Sequence, residues 1–338
     1  MPKIRILVVD DSVVVRRMVS DALSADPLLE VVGAAANGKI ALAKIPQVNP
    51  DIVILDVEMP EMDGLETLGR LRQALPSLPV IMYSTLTQRG AEATLDALAK
   101  GATDYVTKPS NVGSAAQALE CIRTQLIPKI KAICGGPLGA QLPPALLVPR
   151  APRPIRQLPV IPRPEDRIDI VAIGVSTGGP NALAALIPTL PQDFPVPLVI
   201  VQHMPPIFTR LLAERLAAKS EIGVEEGYAG ALLRAGCAWI APGDYHMIVA
   251  RDQNQVSLRT HQGPLENSCR PAADVLLRSV ADVYKSHALG VVMTGMGQDG
   301  LRGCERIREL GGARPSPGSG HQRSLGNAGF CGDRRFGG

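Results

Sequence analysis

The chain has 338 residues, 46% of them hydrophobic and 3% aromatic, with a formal net charge of +3. That length suits two domains, and so small a charge with so few aromatic stacking platforms argues against a nucleic-acid binder. No apolar run reaches the roughly 18 residues of a membrane-spanning helix, and the start Met1-Pro2-Lys3-Ile4 lacks the features of a signal peptide, so a cytoplasmic protein with no membrane insertion is expected.

Up to about residue 126 the chain alternates short β-branched runs with amphipathic segments. Strands are predicted at 4–9, 31–35, 52–55, 80–83 and 105–106, and helices at 13–23, 40–45, 64–74 and 92–100. Five such steps predict an α/β, doubly wound parallel sheet whose chemistry sits at the carboxyl ends of its strands. Residues 127–167 are assigned to a linker; prolines such as Pro137, Pro143, Pro144 and Pro149 break regular structure there, and Arg150, Arg153, Arg156 and Arg163 keep it solvated. A second α/β pattern begins at 168, with strands predicted at 170–173, 198–201, 238–240, 247–249 and 288–293, and helices at 182–190, 209–219, 272–283 and 301–310. The six cysteines (121, 134, 237, 269, 304 and 331) have neither zinc-site nor disulfide-framework spacing and read as free thiols.

Asp10 and Asp11 end the first predicted strand and Asp56 ends the third, so three carboxylates converge at one sheet edge. Like charges that close call for a cation, and a hard, oxygen-seeking ion such as Mg²⁺ suits them. Lys108 follows the fifth strand and Ser84 ends the fourth, supplying a cation for phosphate oxygens and a hydroxyl to sense them. The runs D-D-S at 10–12, D-V-E-M-P-E-M-D-G at 56–64, Y-S-T at 83–85 and Y-V-T-K-P at 105–109 together resemble the receiver domain of response regulators. The resemblance implies a flavodoxin-like (βα)5 domain over 1–126, with Asp56 as phosphoacceptor. It further implies that Asp11 and Asp56, with the backbone carbonyl of Glu58 and help from Asp10, bind Mg²⁺, and that Ser84, Tyr105 and Lys108 relay the switch.

In D-I-V-A-I-G-V-S-T-G-G-P-N at 169–181, a strand runs through a glycine-rich turn into a helix, with Ser176 at the tip. Gly174 to Gly178 match the G-x-S-x-G nucleophile elbow, and the helix N-terminus offers free N–H groups to an oxyanion. The same turn alone would also cradle a phosphate. His203 and Asp299 each follow a later strand, so all three side chains can meet at one edge: Ser176 attacks, His203 moves the proton, Asp299 orients the imidazole. His246 competes for the role of base. The order Ser, His, Asp differs from the Ser, Asp/Glu, His order of an α/β-hydrolase.

S-T-G-G-P at 176–180, V-Q-H-M-P at 201–205, A-P-G-D-Y-H at 241–246, R-P-A-A-D-V-L-L-R-S-V-A at 270–281 and T-G-M-G-Q-D-G at 294–300 resemble the chemotaxis protein-glutamate methylesterase (CheB) family. The resemblance implies a doubly wound, mostly parallel hydrolase domain at 168–312, the triad Ser176, His203 and Asp299, and an oxyanion site from Thr177 and the backbone near Met296. It implies hydrolysis of glutamate methyl esters on methyl-accepting chemoreceptors, deamidation of receptor glutamines, and activation by a chemotaxis histidine kinase that relieves autoinhibition. No cofactor is expected for the ester hydrolysis itself. The residues alone leave open a receiver-regulated serine esterase or amidase of other specificity, or a catalytically impaired signalling adaptor.

The resemblance stops after Gly312, and residues 313–338 are rich in Gly, Pro and Arg. Family members continue there with a segment close to A-Q-D-x-A-T-S-x-V-x-G-M-P. Synonymous codons can be chosen for Ser316 to Arg335 whose reading one nucleotide later gives A-Q-D-Q-A-T-S-V-V-W-G-M-P-G-F-V-A-T-A-G. A frameshifted tail is the expectation.

Overall fold

The computed structural model describes residues 2–108, 115–135, 167–293 and 297–312; the tail at 313–338, most of the expected linker and Met296 lie outside the described residues. In the first half, β1 (Ile4–Val9), β2 (Leu29–Ala35), β3 (Ile52–Asp56), β4 (Val80–Thr85) and β5 (Asp104–Lys108) alternate with α1 (Val13–Ser24), α2 (Gly38–Val48), α3 (Gly64–Ala74) and α4 (Gln88–Ala99). Ser12, Asn37, Asp63 and Thr87 start the four helices: each side chain accepts a backbone N–H from the first turn. The Thr87 cap is why α4 begins four residues before the expected 92.

The strands pair in parallel in the order β2-β1-β3-β4-β5. All five residues of β3 are buried, as a central strand covered on both faces requires. Chain order reverses between β1 and β3, so their carboxyl ends flank the crevice where such sheets bind ligands.

After β5, α5 (Ala115–Cys121) leads through a π turn, Ile122–Leu126, into α6 (Ile127–Cys134). Residues 127–134 of the expected linker are therefore helix. Leu126, Ile127 and Ile130 are buried with Ile6, Ile52 and Ile54 in the core beneath the sheet. Pro128 lies in the first turn of α6, just after the π turn.

The second half contains β6 (Ile170–Val175), α7 (Gly179–Leu186), β7 (Leu198–Gln202), α8 (Phe208–Ala217), β8 (Gly223–Glu226), β9 (Cys237–Ile240), β10 (His246–Asp252), β11 (Gln255–His261), α9 (Ala273–Tyr284), β12 (Ala288–Val292) and α10 (Leu301–Glu309). Its five-stranded sheet has the order β12-β6-β7-β9-β8, parallel throughout. The expected strand at 247–249 is not part of it: β10 pairs antiparallel with β11, and this hairpin packs Met247, Val249 and Leu258 against Leu276, Leu277 and Val280 of α9. Here too the chain order reverses, between β6 and β12, which puts the carboxyl ends of β6, β7 and β12 around one crevice.

The halves meet through α4 and β5 of the first and α7 and α8 of the second. Tyr105 stacks on Phe208 with ring centroids 4.9 Å apart and planes 8° from parallel. Asn181 Nδ2 donates to the Ala102 carbonyl at 2.9 Å, Arg215 Nη2 to the Glu92 carbonyl at 2.8 Å, and Arg215 Nη1 lies 2.8 Å from Asp96 Oδ1. Among the described residues no helix is long and apolar enough to cross a membrane.

Candidate functional sites

At the first crevice, β1 delivers Asp10 and Asp11 and β3 delivers Asp56. Asp10 and Asp56 are buried and Asp11 is exposed, and one oxygen from each lies within 4.8 Å of the others. Asp10 Oδ1 also accepts the Ser12 N–H at 2.9 Å, which ties it to the start of α1. From β5, Lys108 Nζ sits 2.7 Å from Asp10 Oδ2 and 2.8 Å from Asp56 Oδ2. Burial pushes the Asp56 carboxyl up to about 6, against the pull of Lys108. Burial disfavours the Lys108 ammonium, but Asp56 and Asp10 outweigh it and raise its pKa, so the lysine stays charged. Gly64 lets α3 begin directly over this floor: a Cβ there would lie 2.1 Å from the Asp56 carbonyl. A cleft of about 270 Å³ results, lined by Asp11, Asp56, Val57, Glu58, Thr85 and Lys108.

The expected switch residues separate. Lys108 is in the cleft. Ser84 is fully buried beside it, its hydroxyl donating to the Gly90 carbonyl at 3.1 Å, and Thr85 supplies the hydroxyl-bearing residue of the wall. Tyr105 points out of the cleft into the contact with Phe208. Lys129 of α6, which the sequence reading did not single out, holds it there: Nζ donates to the Tyr105 carbonyl at 2.8 Å and lies 5.1 Å from the ring centroid.

At the second crevice, Ser176 and Thr177 are half-buried on the turn between β6 and α7. Gly178 has φ +72°, a conformation that favours glycine, and a Cβ on Gly179 would lie 1.8 Å from Gln202 Oε1. The Ser176 carbonyl accepts Gly179 N–H at 2.8 Å and Gln202 Nε2 at 3.1 Å. Neighbouring strand ends are tied to the same turn: His203 N–H reaches the Val175 carbonyl at 3.3 Å and Met293 N–H the Gly174 carbonyl at 3.1 Å.

His203 Nε2 lies 2.7 Å from Asp299 Oδ2. Asp299 also accepts Ala273 N–H at 2.6 Å and Asp274 N–H at 2.9 Å from the first turn of α9, and Asn267 Nδ2 at 2.9 Å. Burial works against this carboxylate, but His203 and the two backbone donors outweigh it and hold its pKa below the usual value. Burial likewise disfavours the His203 cation, yet the Asp299 hydrogen bond and the Cys269 contact raise it to about 9. Among the described residues no hydrogen bond joins Ser176 Oγ to His203. The ring's other nitrogen, Nδ1, lies 3.8 Å from Cys269 Sγ.

His246 is unsuited to be the base. It is 1% exposed, Nδ1 accepts Ala272 N–H at 3.3 Å and Nε2 donates to the Pro264 carbonyl at 2.9 Å. Both nitrogens are spent on fastening the loop that carries Asn267 and Cys269.

The response regulator receiver domain family matches residues 6–120, and the CheB methylesterase family matches residues 171–314. A protein-glutamate methylesterase/protein-glutamine glutaminase of Trichodesmium erythraeum is 56% identical over 315 residues, covering 92% of this chain and 88% of the relative. One of the same description from a Nocardioides species is 50% identical over 315 residues, covering 93% and 85%. This chain belongs to the protein-glutamate methylesterase/protein-glutamine glutaminase family.

Within the methylesterase domain, three groups around Asp299 escaped the sequence reading. Asp274 bears the one readable signal, an acid in the first turn of α9; its Oδ1 accepts Gly303 N–H at 2.7 Å and fastens α10 to α9. Asn267 and Cys269 sit in a loop with no periodicity, and only the fold brings them to the histidine. The receiver and methylesterase domains each place their charged groups at a reversal of strand order. Chemically, one crevice can hold a phosphoryl group between a lysine and carboxylates; the other can move a proton along an imidazole held by a carboxylate.

Proposed function

We propose that the chain hydrolyses glutamate methyl esters on methyl-accepting chemoreceptors, releasing methanol, and deamidates receptor glutamines by the same acyl chemistry. The observation that carries this reading is the 2.7 Å His203–Asp299 contact beside the Ser176 turn. Ser176 Oγ attacks the acyl carbon while His203 takes its proton and returns it to the leaving methanol or ammonia. Asp299 fixes the ring and balances the imidazolium; water then repeats the sequence on the acyl-serine. The N-terminal end of α7, with Thr177 and the backbone near Met296, stabilises the oxyanion.

Asp56 accepts a phosphoryl group from a chemotaxis histidine kinase. The three converging carboxylates fit a hard divalent cation, and Mg²⁺ held by Asp10, Asp11, Asp56 and the Glu58 carbonyl would offset the charge of the transferring group. Lys108 gathers the phosphate oxygens. Lys108 leaving Asp10 and Asp56 for the phosphoryl group, and Ser84 leaving Gly90 for it, would loosen β5, the strand that carries Tyr105. Contact with α4 and β5 holds α7 and α8, the helices that follow the Ser176 and His203 turns, in a closed arrangement until that happens. The protein works in the cytoplasm.

Methanol release from methylated chemoreceptor membranes tests the reading. Release should rise with Mg²⁺ and a small phosphodonor and vanish in Ser176→Ala. Asp56→Ala should keep basal release and lose the response; a phosphodonor response equal to that of the unaltered chain would reject Asp56 as acceptor.

A further inference from the structure

The nitrogen of His203 opposite Asp299 is the one a nucleophile must reach. Among the described residues, the group it faces is the thiol of Cys269, with Sγ 3.8 Å from Nδ1, within reach of a sulfur hydrogen bond. Carboxylate, imidazole and thiol in series are the arrangement by which a cysteine nucleophile is activated. The thiol is held rather than loose. Glu266 and Cys269 exchange backbone hydrogen bonds at 2.9 and 3.2 Å, Arg270 next door is fastened to Asp244 at 2.6 Å, and Asn267 donates to both Asp299 and Asp274. Asn267 and Ser268 take φ of 51° and 62° to make the turn that aims it. Cys269 is half-buried, so small reagents can reach it, whereas Cys304 is buried. The charged group it contacts is His203 after β7; the elements around the pair also carry Asp299 before α10, Asp274 on α9, and two pairs, Glu266 with Arg278 and Arg270 with Asp244.

We infer that Cys269 is a second nucleophile of the active site, a thiol that His203 activates toward soft electrophiles and hydroperoxides and whose modification silences the hydrolase. The inference rests on the methylesterase reading above only for its second half. With the proton on His203 Nδ1, Cys269 stands as a thiolate beside the imidazolium. With an alkyl iodide, a C–S bond forms, the C–I bond breaks and iodide departs. With a hydroperoxide, sulfur is oxidised to the sulfenic acid as an S–O bond forms and the O–O bond breaks; the leaving alkoxide, or hydroxide from hydrogen peroxide, takes the Nδ1 proton and becomes the alcohol or water. Either adduct occupies the space in front of Nδ1 that Ser176 needs.

The full chain, incubated with iodoacetamide, is read by peptide mass spectrometry at Cys269 and at Cys237, a half-buried thiol beside Arg234 that serves as reference. Cys269 should label at least tenfold faster than Cys237 at pH 6.5 and slow tenfold in His203→Gln. Labelling no faster than Cys237 overturns the proposal without any variant. Phosphonylation of Ser176 by a fluorophosphonate should fall at least tenfold once Cys269 is alkylated, and in Cys269→Ala it should be the same before and after iodoacetamide. Undiminished phosphonylation of the alkylated chain overturns the silencing. A chain that never takes the fluorophosphonate counts against the methylesterase reading instead, and the Cys269 to Cys237 comparison still stands.

Discussion

At the scale of single residues, His203 sets the pH behaviour. A general base works as the neutral ring, and with a pKa raised to about 9 the ring is charged at neutral pH. Phosphonylation of Ser176 should therefore climb about tenfold per pH unit from 7 toward 9. Asp299→Asn removes the carboxylate charge, so the ring titrates nearer its ordinary value; the profile should flatten above pH 7 while the plateau drops roughly 10⁴-fold through the wrong tautomer. A steep profile that survives in Asp299→Asn would detach the raised pKa from that contact. The same shift affects folding: because the folded value lies above the unfolded one, the stabilisation is full below about 6.5 and is lost as pH rises through about 9. Ser176, His203, Asp299, Asp56 and Lys108 could be picked out of the sequence because each ends or follows a strand. Asn267 and Cys269 could not, since their loop has no period and its path depends on Arg270, His246 and Asp299 at once.

At the scale of elements, burial decides both what was legible and what was not. The strands β1, β3, β4, β6 and β7 are almost wholly buried runs, and such runs are visible in any sequence. In contrast, β8 and β11 each bury one residue, Val224 and Leu258, and no pattern of one can be read. The difference at α6 has another origin: residues 127–134 fall in the expected linker, yet the π turn before them carries the helix on and seats Ile130 with 0% exposure under the receiver sheet. Ile130→Ala should thus cost about 2–4 kcal/mol, the price of a core cavity, in a stretch that resembles linker. Hydrogen exchange of the full chain is the measurement: amides of β1 and α1 should exchange faster while those of β6 and β7 do not. Unchanged protection in β1 would mean that α6 adds nothing to the receiver core.

At the scale of the whole molecule, two sheets with the same device, a reversal of strand order that gathers charged groups, are coupled through α4 and β5 of one half and α7 and α8 of the other. The coupling surface mixes one aromatic stack, Tyr105 on Phe208, with the Arg215 contacts to Asp96 and the Glu92 carbonyl. Phe208 is fully buried, so its loss would damage the methylesterase core as well as the contact. Arg215 is the cleaner probe: its side chain is 32% exposed and reaches across to α4. A partly exposed pair with one added carbonyl contact is worth roughly 1 kcal/mol, about a fivefold change in the ratio of closed to open arrangements. If closure holds back the hydrolase, Arg215→Asp should raise methanol release without phosphodonor about fivefold and leave the fully phosphorylated rate unchanged, because that state has already given up the contact. Adding Asp96→Arg should restore the low basal rate by remaking the pair with its charges exchanged. Basal release that ignores both changes would mean that this surface joins the domains without restraining them, and that the control of Ser176 by Asp56 runs by another route.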